Sequence, residues 1–193
     1  MAKQFFYDLE TTGVNPAKNG IHQIAAIIVI DGEEKERINI KIQPNPKAII
    51  EDDALAIGNV TREQLATYTP FQEGYNQLRA ILGKYVNPRD KTDKFHLIGF
   101  NNRQFDDQFL RGLFLQNDDK YFGSWFWSDS SDVMVLASEC LKEVRHKMDN
   151  FKLSTVVKFV GLTVDEDKLH DAFYDLEITQ SLYSEIKNKY FNK

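Results

Sequence analysis

The chain has 193 residues, 42% of them hydrophobic, and 29 acidic against 24 basic side chains give a net charge of −5. That sign excludes a protein that coats nucleic acid through a broad positive field, so any contact with a polyanion must be local. Cys140 is the only cysteine, which excludes an internal disulfide and argues against a cysteine-built zinc site, leaving a buried, inert thiol as the expectation.

The first segment, QFFYDL at 4 to 9, reads as a strand, and its charges precede any apolar stretch long enough for a signal peptide. Gly13, Asn15, Pro16 and Asn19-Gly20 then mark a turn region. IHQIAAIIVI at 21 to 30 and ERINIKIQ at 36 to 43 read as two more strands, joined by a tight hairpin at Asp31-Gly32, so the first three strands should be antiparallel neighbours. From Thr61 the pattern turns helical, with a cap at Thr61 followed by a short turn, then Phe71, Tyr75, Leu78, Ile81, Leu82 and Tyr85 at helical spacing. FHLIGF at 95 to 100 is a fourth strand, followed by helices over 105–114, 133–144 and 151–160, the last ended by Gly161. Ala172, Phe173, Leu176, Thr179, Tyr183, Ile186 and Tyr190 form one face of a long final helix. The order implies an α/β domain whose mixed sheet is covered by helices. No run approaches the ~20 apolar residues of a membrane helix, and no linker divides the chain, so one soluble, cytoplasmic domain with no membrane contact is expected.

Carboxylates occupy places in this pattern where polar groups need a reason. Asp8 and Glu10 end the first strand two residues apart and therefore share a face, with Phe6 beneath them and Phe5, Tyr7 and Leu9 on the other face. The following Thr11-Thr12-Gly13 turn makes these acids either a solvated strand terminus or part of a phosphate-approaching site. After the fourth strand, GFNNRQFDDQFL puts Asn102, Phe105 and Asp106 at a strand-to-helix junction, where ligand sites of α/β sheets gather. Asp106 shares a helical face with Leu110 and Leu113 and is expected to point inward, whereas its rival Asp107 shares one with Arg111; a helix start stabilised by its dipole explains either acid alone. In HDAFYDLE, His170 precedes the last helix and Asp175 lies in its first turns. AFYDLEIT at 172 to 179 mimics FFYDLETT at 5 to 12, but a helix rotates positions two apart by about 200°, so Glu177 should point away from Asp175.

Together D-L-E-T-T-G at Asp8 to Gly13, N-x-x-F-D at Asn102 to Asp106 and H-D-A-x-x-D at His170 to Asp175 resemble the DEDD exonucleases of the histidine subtype (DEDDh), the family of bacterial proofreading subunits, ribonuclease T and oligoribonuclease. The resemblance runs through nearly the whole chain, including AIGNVTREQL at 56 to 65 and an acid before a helix at Asp132. It implies a single exonuclease domain over residues 1–193, with a ribonuclease H-like α/β fold built on a five-stranded mixed sheet flanked by helices. Two departures stand out: Asn101 where many members have His, and the sequence Ile57 to Thr61 in place of the usual His-Gly-Ile-Thr.

The resemblance further implies hydrolysis from the 3′ end of single-stranded DNA, or RNA, yielding nucleoside 5′-monophosphates. Four carboxylates in one place repel unless cations share the space, and hard oxygen donors favour two divalent cations, Mg²⁺ or Mn²⁺. Asp8 is expected to bridge both ions, Glu10 and Asp175 to complete one, and Asp106 to hold the other through water. His170 is the expected general base, since an ordinary imidazole is mostly neutral at cellular pH. The resemblance places the amides of Leu9, Thr11 and Thr12 together with Asn102 and Phe105 around the terminal nucleotide, though Phe105 equally suits the core. YFGSWFWS at 121 to 128 offers either base stacking or core packing, and the basic stretch Lys142, Arg145, His146, Lys147, Lys152 and Lys158 either phosphate contacts or a solvated face. The partner is a single-stranded 3′ end, with a polymerase or another protein as a further candidate. A nuclease-like module that binds nucleic acid without cutting it is the rival from another class.

Overall fold

The computed structural model describes residues 2–169 and 171–191. Three strands open the chain, β1 (Lys3–Thr11), β2 (Ile21–Ile30) and β3 (Glu33–Lys41). They pair antiparallel in sequence order, and the β2–β3 turn is the expected Asp31-Gly32 hairpin with both residues at positive φ. The third strand begins three residues earlier than its alternation indicated, because charged positions 33 to 35 extend the exposed edge ladder.

Two short helices follow, α1 (Asp52–Ile57) and α2 (Arg62–Ala66). Of these α1 had no periodic signal of its own, whereas α2 starts at the anticipated Thr61 with a full capping box to Gln64. Helix α3 (Phe71–Tyr85) leads to β4 (His96–Gly99), which pairs parallel with β1. Helix α4 (Asp106–Gln116) comes next, then β5 (Ser131–Asp132), parallel to β4 and too short to carry any alternation. Asp132 also caps α5 (Val133–Cys140), accepting from the Met134 and Val135 amides, and α6 (Leu153–Phe159) and α7 (Ala172–Ile186) complete the order. The helix expected over 133–144 stops at Cys140, and Lys142–Lys147 continues as a 3₁₀ segment. The sheet order is β3-β2-β1-β4-β5, a five-stranded mixed sheet of the ribonuclease H-like type.

Alternation in β1 divides the core. Phe5, Tyr7 and Leu9 pack with Leu78, Leu82, Phe114 and Phe126 under α3 and α4, while Phe6 packs with Ile98, Val133, Val156, Leu176 and Leu182 under α5, α6 and α7. The aromatic run at 121 to 128 is largely core: Phe122, Trp125 and Phe126 are buried and Trp127 partly so, while among its aromatics Tyr121 stands well out at 71% exposure. Cys140 is half-buried rather than enclosed, and burial raises its thiol pKa. Among the described residues no helix is long and apolar enough to cross a membrane.

Candidate active site

The parallel strands β1, β4 and β5 end at one edge, and the acids gather there. Asp8 and Glu10 lie on the Phe6 face of β1, both half-buried, so each keeps some contact with solvent. On the same side, the Tyr183 ring of α7 meets Phe6 edge-on at 5.7 Å, which lays that helix along β1 and brings Asp175, two turns earlier, toward Asp8. Asp171 starts the helix by accepting from the Phe173 and Tyr174 amides. Glu177 points away as expected and pairs with Arg37 at 2.5 Å.

Asp106 arrives from the other side of β1. It opens α4 at 5% exposure, and its Oδ1 accepts from the Leu9 amide at 3.0 Å. Burial raises its carboxyl to about 7, against the pull of that hydrogen bond, with Asp107 and Glu10 adding repulsion. The Asp8 carboxyl is pushed well above the ordinary carboxylate range by burial first, then by Asp106, Glu10 and Asp175. Side chains from β1, α4 and α7, up to 167 residues apart in the chain, thus act on one another.

Asp107 corrects the sequence reading. Far from lying on an outer face with Arg111, it is buried at 8% exposure. Its Oδ1 accepts from the Tyr7 hydroxyl and from Asn102 Nδ2 at 3.4 Å, and its Oδ2 accepts from Ser130 Oγ at 2.6 Å. Tyr7 and Ser130 carried no periodic or motif signal for this role.

The residues expected around a terminal nucleotide are mostly buried, with their polar groups bonded within the protein. Leu9 is buried and its amide is taken by Asp106; Thr12 is enclosed, its amide donating to the Gly20 carbonyl at 2.8 Å and its hydroxyl to the Ile49 carbonyl at 2.7 Å. Thr11 is buried, with its hydroxyl donating to the Gly13 carbonyl at 2.8 Å. Asn102 is wholly buried against Tyr7 and Asp107. Phe105 is only partly buried, its ring 5.0 Å from that of Phe109. His170 lies outside the described residues.

His22 went unnoticed inside an apolar strand. It is 1% exposed, and among the described residues neither ring nitrogen has a hydrogen-bond partner. Burial holds its pKa down to about 4. The ring's Cε1 and the Glu10 Oε2 both lie 3.8 Å from where a Cβ on Gly58 would sit, so the α1–α2 turn roofs that end of the site.

Among the described residues no three acidic, histidine or cysteine side chains are already gathered into a cation-holding cluster. The fit to a divalent cation rests on the donor set itself: hard carboxylate oxygens on Asp8 and Asp106, whose ionisation is opposed by burial and by neighbouring carboxylates, with no basic side chain of the described residues among the causes of either shift. In the basic stretch, by contrast, Lys142 pairs with Glu139, Lys158 contacts Glu166, and Arg145 lies over the Phe151 ring.

The chain is similar to several proteins of known activity. It is 24% identical over 190 residues to a DNA polymerase III PolC-type of Mycoplasmopsis pulmonis, covering 96% of this chain and 12% of that protein. With ribonuclease T of Buchnera aphidicola it shares 26% over 195 residues, 95% of this chain and 82% of the relative. With exodeoxyribonuclease I of Escherichia coli it shares 26% over 200 residues, 95% and 40%. The chain therefore spans a small part of the polymerase, under half of the exodeoxyribonuclease and most of ribonuclease T. The fold is that of E. coli exonuclease I in complex with a dT13 oligonucleotide, at a TM-score of 0.75 and 20% identity over 98% of this chain and 41% of that one. Proteins of this kind are generally dependent on divalent metal. A family model described as Exonuclease matches residues 5–183, a span holding all three acidic motifs, and the chain belongs to that DEDD exonuclease family.

Proposed function

We propose that the chain is a metal-dependent 3′-5′ exonuclease that hydrolyses the terminal phosphodiester of single-stranded DNA and releases nucleoside 5′-monophosphates. The observation that supports it is that Asp106, Glu10 and Asp175, carried by α4, β1 and α7, all act on Asp8 and raise the cost of ionising it. Asp8, Glu10, Asp106 and Asp175 would hold two divalent cations, Mg²⁺ or Mn²⁺. When bound, such ions supply the positive charge that offsets the carboxylates and stabilises charge developing on the attacking and leaving oxygens.

The chain's own groups then have separate tasks. The Leu9 amide holds Asp106 in place, and the Thr11, Thr12 and Asn102 side chains, already bonded within the protein, shape the floor under the terminal nucleotide. Phe105, which keeps an exposed part, offers an apolar contact for its sugar or base. His170 accepts the proton of the attacking water as its oxygen bonds to phosphorus; the bond from phosphorus to the upstream 3′ oxygen breaks, and that oxygen takes a proton from solvent, leaving a new 3′-hydroxyl on a shortened strand.

Incubation with 5′-labelled single strands, DNA and RNA in parallel, tests this reading. The expected result is an EDTA-sensitive ladder shortening from the 3′ end, with mononucleotides released, and the relative rates on the two strands assign the substrate. Asp8→Asn should abolish cleavage and metal binding together, and His170→Ala should lower turnover while sparing metal binding. Strands that shift on a gel without shortening, or an Asp8→Asn protein of full activity, would refute it. Faster loss of RNA would move the substrate to RNA within the same chemistry.

A further inference from the structure

We propose that Asp107 is a positioning residue whose hydrogen bonds to Tyr7 and Ser130 set the approach of Asp106 to Asp8, and through it the cation affinity of the site. The inference rests on the function proposed above. Its basis is a double clamp of α4 on β1. Asp106 accepts from the Leu9 amide at 3.0 Å, and the next residue, Asp107, accepts from the Tyr7 hydroxyl, so consecutive helix residues grip β1 on either side of Asp8. Ser130, just before β5, adds a third segment through its 2.6 Å bond to the other oxygen of Asp107, and the Asp107 amide donates to the Asn102 carbonyl at 2.8 Å.

Such a clamp does something that apolar packing cannot. Leu110, Leu113 and Phe114 already bury α4 against the sheet, and that contact tolerates a small rotation of the helix about its axis. Directional bonds at two successive positions do not tolerate it, because turning α4 breaks one as it strains the other. A buried carboxylate is also costly to desolvate, so an apolar residue at 107 would hold the helix at lower cost while leaving Asp106 loosely aimed. Tyr7 suits the task because it is buried one residue before Asp8 and its hydroxyl donates directly to Asp107.

Tyr7→Phe removes one hydroxyl at nearly constant shape, and Ser130→Ala removes the other donor at a half-buried loop position. Free Mn²⁺ measured by its paramagnetic resonance signal should show about ten-fold weaker binding in Tyr7→Phe and a smaller loss in Ser130→Ala, the size usual for a group that orients a ligand. On a single-stranded oligonucleotide, kcat should fall by a similar factor with KM within about two-fold, and excess Mn²⁺ should restore much of the rate. If both variants fold and bind Mn²⁺ as the parent does while only their melting temperatures fall, Asp107 is merely structural and the inference fails. Should Tyr7→Phe not fold, an unchanged Mn²⁺ affinity in Ser130→Ala overturns it alone. A parent chain that binds no Mn²⁺ and shortens no strand would overturn the functional reading, and this inference with it.

Discussion

Asparagine in place of Asp106 should make the metal-free protein more stable while removing its function. The folded carboxyl titrates near 7 instead of 3.8, so it favours folding at low pH, and that contribution is lost as pH rises through 7. At about pH 8 the wild-type protein then carries a cost of about 4 kcal/mol for keeping Asp106 ionised where burial and its neighbours oppose the charge. Asn keeps an oxygen that accepts from the Leu9 amide and brings no charge, so Asp106→Asn should recover most of this, roughly 10 °C in melting temperature for a chain of this size. Mn²⁺ at a hundred times its dissociation constant should stabilise the wild-type chain by about 3 kcal/mol and the variant far less. Calorimetric melts of both proteins at about pH 8, in EDTA and in Mn²⁺, give four numbers that settle the matter. A variant that melts at or below the wild-type in EDTA, or that gains as much from Mn²⁺, would refute the claim that Asp106 is a strained charge awaiting a cation.

Two further perturbations probe the surroundings. Because His22 titrates near 4 when folded and near 6.5 when free, the stability present above about pH 6.5 is lost as pH falls toward 4, about 3 kcal/mol in all. His22→Leu should flatten that acid slope and raise stability at about pH 8 by about 1 to 3 kcal/mol, since two unpartnered ring nitrogens leave the core; urea melts across the range check it, and an unchanged slope counts against it. Gly13→Ala would place a Cβ 2.3 Å from Asn19 Nδ2, a buried side chain that bonds the Ile49 carbonyl at 2.9 Å, Glu51 at 3.0 Å and the Asn15 amide at 2.9 Å. It should cost more than about 2 kcal/mol and most of the activity, whereas Gly83→Ala, on an open face of α3, should stabilise by about 1 kcal/mol; equal melting temperatures for the two would contradict the packing argument.

How much of this was legible in the residues depends on how far each signal reaches. The alternation of FFYDLE sufficed to place Asp8 and Glu10 on the Phe6 face, and a helical period sufficed to turn Glu177 away from Asp175. The same period failed at Asp107, because helical phase relates a residue only to its neighbours three and four away. Its burial is decided by Tyr7, 100 residues earlier, and Ser130, 23 later. Two-residue β5 has no period to read, and it enters the sheet only because its register continues β4. His22 sits in a ten-residue strand in which eight residues are apolar, so the run masks the histidine buried within it.

Why the acids meet at this edge follows from where β4 stops. Its pairing with β1 covers only Gln4 to Phe6, so β1 continues past its neighbour through Asp8 and Glu10 with space beside it. The chain must then double back steeply to fill that space with α4. Gly99 permits the turn, since a Cβ there would lie 3.0 Å from the Tyr7 carbonyl and 2.8 Å from the Asn102 side chain. Asn101 continues it at a φ of 62°, a left-handed conformation that asparagine adopts more readily than most residues, and its amide donates to Asp132 at 3.0 Å. That tight return brings Asp106 to the Leu9 amide and leaves its carboxylate facing Asp8 across the gap. Asparagine at 101, a departure from the family's frequent histidine, therefore suits the backbone that aims the acid, and the site's position is a consequence of ending one strand three residues after its register begins.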